Sequence, residues 1–105
     1  LLETFVVGEL LKQATWSDDV SAVGHWRTHD GQEVDLVVEH RGGEVTAFEV
    51  KAAERVTKRD GRGLRALRDA LGDSFSAGCL LTIGQLAYKM DTDIYVVPID
   101  QLWRA

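Results

Sequence analysis

Two glycine-containing turn signals divide the middle of the chain, and they constrain its fold more than any other feature. Asp30-Gly31 has the composition of a tight hairpin turn, and Arg41-Gly42-Gly43 is a second turn of the same kind. The segments beside them, 22–28, 33–40 and 44–51, have the alternation and length of short strands. The pattern therefore predicts three consecutive antiparallel strands.

Helical patterns lie before and after this strand region. Residues 1–14 place their apolar side chains on one arc at about 100° per residue, as expected for an amphipathic helix. Residues 60–71 repeat leucine at spacings of three and four, with Asp60 as the expected N-cap and Gly72 as the expected end.

Two further strands are predicted after the second helix. Residues 77–83 are apolar enough to form a central strand, and residues 93–97 form another that ends at Pro98, the only proline. The expected element order is α-β-β-β-α-β-β. With 105 residues, the chain is expected to form one domain around one core.

Composition narrows the class of protein and its compartment. No apolar run is long enough for a membrane helix. The single cysteine, Cys79, cannot form a disulfide or a cysteine zinc site within the chain. This cysteine usage and the absence of a leader-like start favour a cytoplasmic protein, and the non-methionine start indicates a fragment of a longer chain.

Charge is unevenly distributed along the sequence. The net charge is −5, which argues against a protein that coats nucleic acid. Residues 51–68 nevertheless contain seven basic and two acidic side chains, a local charge of +5. This segment could contact phosphates or could be a solvated helix face, and its candidate contacts are Arg55, Lys58, Arg59, Arg62 and Arg65.

Acidic and basic residues are expected to converge on two neighbouring strands. Asp35 shares a strand face with Glu33, and Glu49 shares one with Lys51, because side chains two apart point the same way. Paired carboxylates suit Mg²⁺ or Mn²⁺, and a cation with a nearby ammonium suits phosphodiester hydrolysis. The alternative for Glu49 and Lys51 is an exposed ion pair that contributes little stability.

A third carboxylate is expected from the first helix. Glu3 lies near the centre of the apolar arc, whereas Glu9 lies well away from it. An inward-facing acid is costly unless it is paired or bound to a cation. We therefore favour Glu3 over Glu9 as the additional metal ligand, although its position near the helix start leaves the local register open.

These residues resemble a known motif. Glu3, Glu33-Val34-Asp35 and Phe48-Glu49-Val50-Lys51 are similar in order to the PD-(D/E)XK phosphodiesterase pattern, with Val34 in place of its proline. The resemblance implies a restriction-endonuclease-like α-β-β-β-α-β core with a mixed central sheet. It also implies catalytic roles for Glu3, Asp35, Glu49 and Lys51.

A resemblance over nearly the whole chain is more specific. It rests on 2–6, 9–10, 25–27, 33–35, 49–51, Asp60, 63–64, 98–99 and 102–103. Together these segments are similar to the uncharacterised C-terminal domain of bacterial and archaeal AAA-type ATPases. The resemblance implies an ATPase module upstream in the same chain, because no phosphate-binding Gly-Lys-Ser/Thr loop occurs in these residues.

Two functions are compatible with these patterns. The first is a metal-dependent nuclease-like domain that acts on DNA as part of the ATPase. The alternative is a catalytically silent module that keeps the acidic pocket and recognises nucleic acid or a protein partner.

Overall fold

The computed structural model describes residues 2–103, and the side chains of all of these except Glu3, Leu102 and Trp103. The helices are α1 (Leu2–Thr15) and α2 (Arg62–Leu71). The strands are β1 (Val20–Arg27), β2 (Glu33–His40), β3 (Val45–Lys51), β4 (Phe75–Thr82), β5 (Tyr88–Asp91) and β6 (Ile94–Pro98). Short 3₁₀ helices lie at Lys58–Gly61, Gly72–Ser74 and Ile99–Trp103.

All six strands form one mixed sheet in the order β1-β2-β3-β4-β6-β5. The first three strands are antiparallel, as the two glycine turns predicted. Strands β3, β4 and β6 run parallel, and α2 forms the connection from β3 to β4. The carboxyl ends of these three parallel strands, at Lys51, Thr82 and Pro98, therefore lie at the same end of the sheet.

Apolar side chains are buried on both faces of the sheet. On one face, Ala47 and Leu80 pack with Leu64 of α2. On the other face, Val50 and Leu81 pack with Val6 of α1. Neighbouring residues of β4 thus enter different cores. Because β4 lies between β3 and β6, the prediction of a central strand is confirmed.

The predicted turns have the expected backbone geometry. Gly31 and Gly43 have φ values of +88° and +92°, a region that favours glycine. Gly72 follows α2 with φ +59°, and its N–H donates to the Arg68 carbonyl, so the predicted end of that helix is confirmed.

Two details differ from the sequence-based expectations. The edge strand β5 was missed because it has only four residues and no clear alternation. It pairs with β6 through a tight turn in which Asp93 has φ +59°. The prediction of Asp60 as the N-cap of the second helix was wrong, because Gly61 takes that position and Asp60 belongs to the preceding 3₁₀ helix.

Neither helix within residues 2–103 combines the length and apolar character that crossing a bilayer requires.

Candidate functional site

A β-bulge sets the direction of Asp35. Gly24 lies opposite Val37 and Trp26 lies opposite Val34, so two steps along β1 correspond to three along β2. Val34 and Val37 both pack against the α2-side core although they are three residues apart. The extra residue interrupts the strand alternation beside Asp35, and such bulges commonly re-aim a side chain.

The side chain of Asp35 takes the place of a backbone hydrogen bond between β2 and β3. The described pairing of these strands ends at Leu36 and Phe48. Beyond that point, the backbone N–H of Val50 donates to Asp35 Oδ2 at 2.8 Å. The carboxylate therefore lies between the two strands and close to the part of β3 that carries Glu49 and Lys51.

Glu49 is the least satisfied carboxylate of this site. Its residue is only 8% exposed, and its Oε1 atom is buried without a hydrogen-bond partner among the described residues. Its other oxygen, Oε2, lies 3.3 Å from Lys51 Nζ. A buried carboxylate oxygen without a partner is costly, and a bound cation or donor would relieve this cost.

The electrostatic surroundings of Glu49 favour its neutral form when no ligand is bound. Burial raises the pKa of Glu49 to about 7, and the negative charges of Asp35 and Asp60 add to this rise. The ammonium of Lys51 opposes it without reversing it. A carboxyl pKa near neutrality, caused by burial and by two neighbouring acids, is typical of functional sites.

These side chains line one cleft of about 330 Å³ at the carboxyl end of β3. Glu33, Asp35, Glu49 and Lys51 of β2 and β3 line the cleft together with Asp60 of the 3₁₀ helix. Glu33 also pairs with Arg27, at 2.5 Å between Oε1 and Nη2. The predicted convergence of Asp35 with Glu49 and Lys51 is therefore found in the structure.

The N-terminus of α2 closes the cleft through a very close contact. A Cβ atom on Gly63 would lie 2.3 Å from the Glu33 carbonyl oxygen and 3.0 Å from Glu49 Oε1. Only glycine leaves room for the helix to approach this far. The first turn of α2 therefore lies directly against the acidic site, so the positive end of the helix dipole is close to its carboxylates.

Of the five candidate nucleic-acid contacts, Lys58 is exposed at the start of the 3₁₀ helix, and the other four separate into three groups. Arg59 and Arg62 line the acidic cleft, where their positive charges can contact a phosphate. Arg55 lies at a neighbouring cleft. Arg65 donates to the carbonyl of Lys58 at 2.5 Å, which ties it to the 3₁₀ helix.

The predicted third carboxylate cannot be placed. Glu3 lies in the first turn of α1, but its side chain lies outside the described residues. Leu2 lines a cleft with Thr82 and Ile99, so the start of α1 is at the same end of the sheet as Lys51. Among the side chains that the structure describes, no group of three His, Cys, Asp or Glu residues could hold a metal.

Two members of the cleft had no functional role in the sequence-based prediction. Asp60 Oδ2 accepts the backbone N–H of Thr57 at 2.8 Å, which holds the 3₁₀ helix beside the cleft. The Thr57–Asp60 spacing is that of a capping box, a signal that could have corrected the N-cap assignment. The role of Gly63 depends on distances between elements, which one sequence does not contain.

A second polar cluster has a structural explanation. His40 Nδ1 lies 2.8 Å from Asp19 Oδ2, and His40 Nε2 lies 3.0 Å from Thr46 Oγ1. The order Asp19, His40, Thr46 resembles that of an acid, a base and a nucleophile. Thr46, however, lies within β3 where this strand pairs with both β2 and β4, so Thr46 is a structural part of the sheet. The cluster joins the loop after α1 to the β2–β3 hairpin.

The fold and the cleft define a mixed α/β domain with a partly buried acidic site at one end of its sheet. The chain belongs to the family described as a domain of unknown function, DUF4143, whose model matches residues 1–102. No curated protein sequence matches the chain significantly. The family description assigns no activity.

Proposed function

We propose that this chain is a metal-dependent nuclease-like domain of the PD-(D/E)XK class that cleaves DNA as a cytoplasmic part of an AAA-type ATPase. The observation that carries the proposal is the buried, unpartnered Oε1 of Glu49 beside Asp35 and Lys51. A structural ion pair has no need for an unsatisfied buried oxygen, whereas a cation site does.

The donors present fit Mg²⁺ or Mn²⁺. Asp35 and Glu49 offer carboxylate oxygens on adjacent strands, and Glu3 is the proposed third ligand from α1. Hard divalent cations of this kind prefer oxygen ligands and keep several waters. When bound, such a cation polarises the phosphate and lowers the pKa of a water molecule.

Lys51 acts through its positive charge. An ammonium group donates hydrogen bonds and accepts none, so Lys51 cannot remove the proton from water while charged. It stabilises the negative charge that develops as the water oxygen bonds to phosphorus and the P–O bond to the leaving strand breaks. The attacking water releases a proton to solvent, and the leaving oxygen takes one up. Its contact with Glu49 Oε2 at 3.3 Å holds it in position for this role.

Arg59, Arg62 and the N-terminus of α2 bind the phosphate. All three lie at the acidic cleft, where the acidic side chains alone would repel DNA. Backbone N–H groups at a helix start and arginine side chains are common phosphate ligands. Substrate binding thus depends on the basic side of the cleft and cleavage on the acidic side.

The test is a cleavage assay with labelled DNA in Mg²⁺ or Mn²⁺, with EDTA as the metal-free control. The informative variant is Asp35→Asn, whose amide oxygen can still accept the Val50 N–H. We expect Asp35→Asn and Lys51→Ala each to lower the cleavage rate by about 100-fold or more. Asp69→Asn, which removes an exposed carboxylate distant from the cleft, is the matched control. Unchanged cleavage in both site variants would disprove the proposal.

A specific observation also supports the second candidate, a silent recognition module. Protein groups already satisfy part of the acidic site, because Asp35 binds the Val50 N–H and one oxygen of Glu49 contacts Lys51. Calorimetric titration with Mn²⁺ separates the two functions. Absence of heat at millimolar Mn²⁺, together with measurable binding of DNA or a protein partner, favours the silent module.

A further inference from the structure

A larger cleft of about 610 Å³ lies beside the acidic one, between the segments that follow β3 and β4. Two backbone contacts hold these segments together. The N–H of Ile83 donates to the Ala53 carbonyl at 3.2 Å, and Gly84 packs so tightly that a Cβ would lie 2.2 Å from the Glu54 carbonyl oxygen. The cleft is thus a built feature of the fold, with a volume typical of ligand sites.

The walls of this cleft combine apolar, aromatic and polar groups. Ile83, Leu86 and Tyr88 are exposed to 49%, 74% and 44%, an unusual concentration of apolar surface at one place. Arg55 and Gln85 add a guanidinium and an amide. An aromatic ring, a planar cation and an amide are the groups that stack on a nucleobase and bond to its edge.

The segment between the two clefts is positively charged. Residues 51–62 carry five basic and two acidic side chains, a local charge of +3, which suits a polyanion. Lys51 at the acidic cleft and Arg55 at the larger cleft are four residues apart, at most about 14 Å along the chain. A few nucleotides of one strand can span that distance.

We propose that the larger cleft binds an unpaired base of the DNA strand whose phosphate occupies the acidic cleft, so that the substrate is single-stranded DNA. The inference rests on the proposed nuclease function for the placement of the phosphate. A base within a duplex is stacked on both faces and paired at its edge, so only an unpaired base can reach Tyr88 and Gln85. The two clefts then bind a phosphate and a base of the same strand.

The test measures binding in EDTA, so that it does not depend on cleavage. Fluorescence anisotropy compares the 105-residue chain with three labelled probes: an oligothymidylate, an abasic oligomer of the same length, and a duplex. We expect the oligothymidylate to bind about tenfold more tightly than the abasic oligomer, because stacking on an aromatic ring strengthens binding by this order. We expect Tyr88→Ala to remove this advantage without changing the affinity for the abasic oligomer.

Tyr95→Ala is the matched control. Tyr95 is also a partly exposed tyrosine, at 36%, and it lies on the neighbouring strand β6. It pairs with Lys89, whereas Tyr88 pairs with Val96, so the two tyrosines face opposite sides of the sheet. Gln85→Ala, on an exposed loop, tests the same cleft without altering a strand, and we expect a loss of about threefold.

The outcomes separate this inference from the nuclease proposal. Base-dependent binding without metal-dependent cleavage supports the larger cleft as a base site and refutes the nuclease. Cleavage of DNA with equal affinity for the oligothymidylate and abasic probes supports the nuclease and overturns the base site. Equal losses in Tyr88→Ala and Tyr95→Ala, or tighter binding of the duplex, also overturn it.

Discussion

The two ends of α2 place carboxylates in opposite electrostatic situations. At its N-terminus, Glu49 is buried, one of its oxygens has no partner among the described residues, and burial raises its pKa to about 7. At its C-terminus, Asp91 is bonded by the Thr92 N–H at 2.7 Å and lies 3.2 Å from Arg68, and these contacts lower its pKa. Each end pairs an acidic with a basic side chain, but only at the C-terminal end is the carboxylate satisfied by both a hydrogen bond and an ion pair.

The difference distinguishes a structural ion pair from a candidate binding site. Arg68 also donates to the Thr92 carbonyl at 3.0 Å and to Asp69 at 3.1 Å, so its contacts join α2 to the β5–β6 turn. In the acidic cleft, by contrast, Asp35 and Asp60 make the ionisation of Glu49 less favourable. The cluster at Arg68 satisfies its charges through its own contacts, whereas Oε1 of Glu49 in the acidic cleft has no partner among the described residues.

The largest expected effect comes from the charge of Glu49. Because its pKa rises from 4.5 to about 7 on folding, the folded state binds its proton more tightly. This stabilisation is complete below about pH 4.5 and is lost as the pH rises through 7. Without metal, we expect Glu49→Gln to gain up to about 3 kcal/mol in unfolding free energy relative to wild type between about pH 4 and pH 8.

Urea unfolding in EDTA at a series of pH values measures this difference. Glu54→Gln changes an exposed carboxylate in the adjacent loop and serves as the control, with a difference from wild type that stays small throughout. If the Glu49→Gln difference is equally flat, the buried charge is not the property that distinguishes the two ends of α2.

The next largest effect tests the close approach of α2 to the acidic cleft. A Cβ at position 63 would overlap the Glu33 carbonyl, so Gly63→Ala has to displace the helix or β2. We expect a loss of about 2 kcal/mol in unfolding free energy, as for other overpacked sites. Thermal and urea unfolding at pH 7 measure this loss.

Gly8→Ala provides the matched control for Gly63→Ala. Gly8 is an exposed residue of α1, and a Cβ atom added to it would meet nothing within 4 Å. Alanine stabilises an open helical position by about 0.5 to 1 kcal/mol, so the two substitutions should have opposite signs. Stabilisation by Gly63→Ala would show that the helix does not need its close contact with the site.

Periodicity and turn chemistry predicted the parts of the fold that depend on local sequence. The three hairpin strands and the end of α2 follow from Gly31, Gly43 and Gly72, whose backbone angles are specific to these turns. The convergence of Asp35 with Glu49 and Lys51 followed from the two-residue repeat of adjacent strands.

Features that depend on contacts between elements were not predictable in the same way. The bulge beside Asp35 is a change of register between β1 and β2, so it depends on how the two strands pair. The burial of Glu49 depends on how closely Gly63 approaches it, and β5 is ordered by pairing with β6. The larger cleft likewise forms from two loops that are distant in sequence.

A smaller effect is expected at the C-terminal end of α2. Arg68→Gln removes the contact with the Thr92 carbonyl and the pairing with two carboxylates, so we expect a loss of about 1 kcal/mol in unfolding free energy. Arg62→Gln changes an arginine of the same helix at the acidic cleft, and we expect its stability to remain within about 0.5 kcal/mol of wild type. Equal losses would remove the distinction between a structural arginine and one that we propose binds phosphate.

The smallest effect is expected from Asp91→Asn, which tests whether the pKa of Asp91 is shifted in the opposite direction to that of Glu49. A lowered carboxyl pKa stabilises the folded state above the unfolded value of 3.8, and this contribution is lost as the pH falls through the folded pKa. We therefore expect Asp91→Asn to lower the Tm slightly at pH 6 in low salt, by less than Arg68→Gln does. This difference should disappear in strong acid or in about 1 M salt, where charges are screened within about 3 Å.

A loss of Tm that persists in both conditions would mean that Asp91 acts through packing. If the stability changes caused by Glu49→Gln and Asp91→Asn vary with pH in opposite directions, the carboxylates at the two ends of α2 have oppositely shifted pKa values.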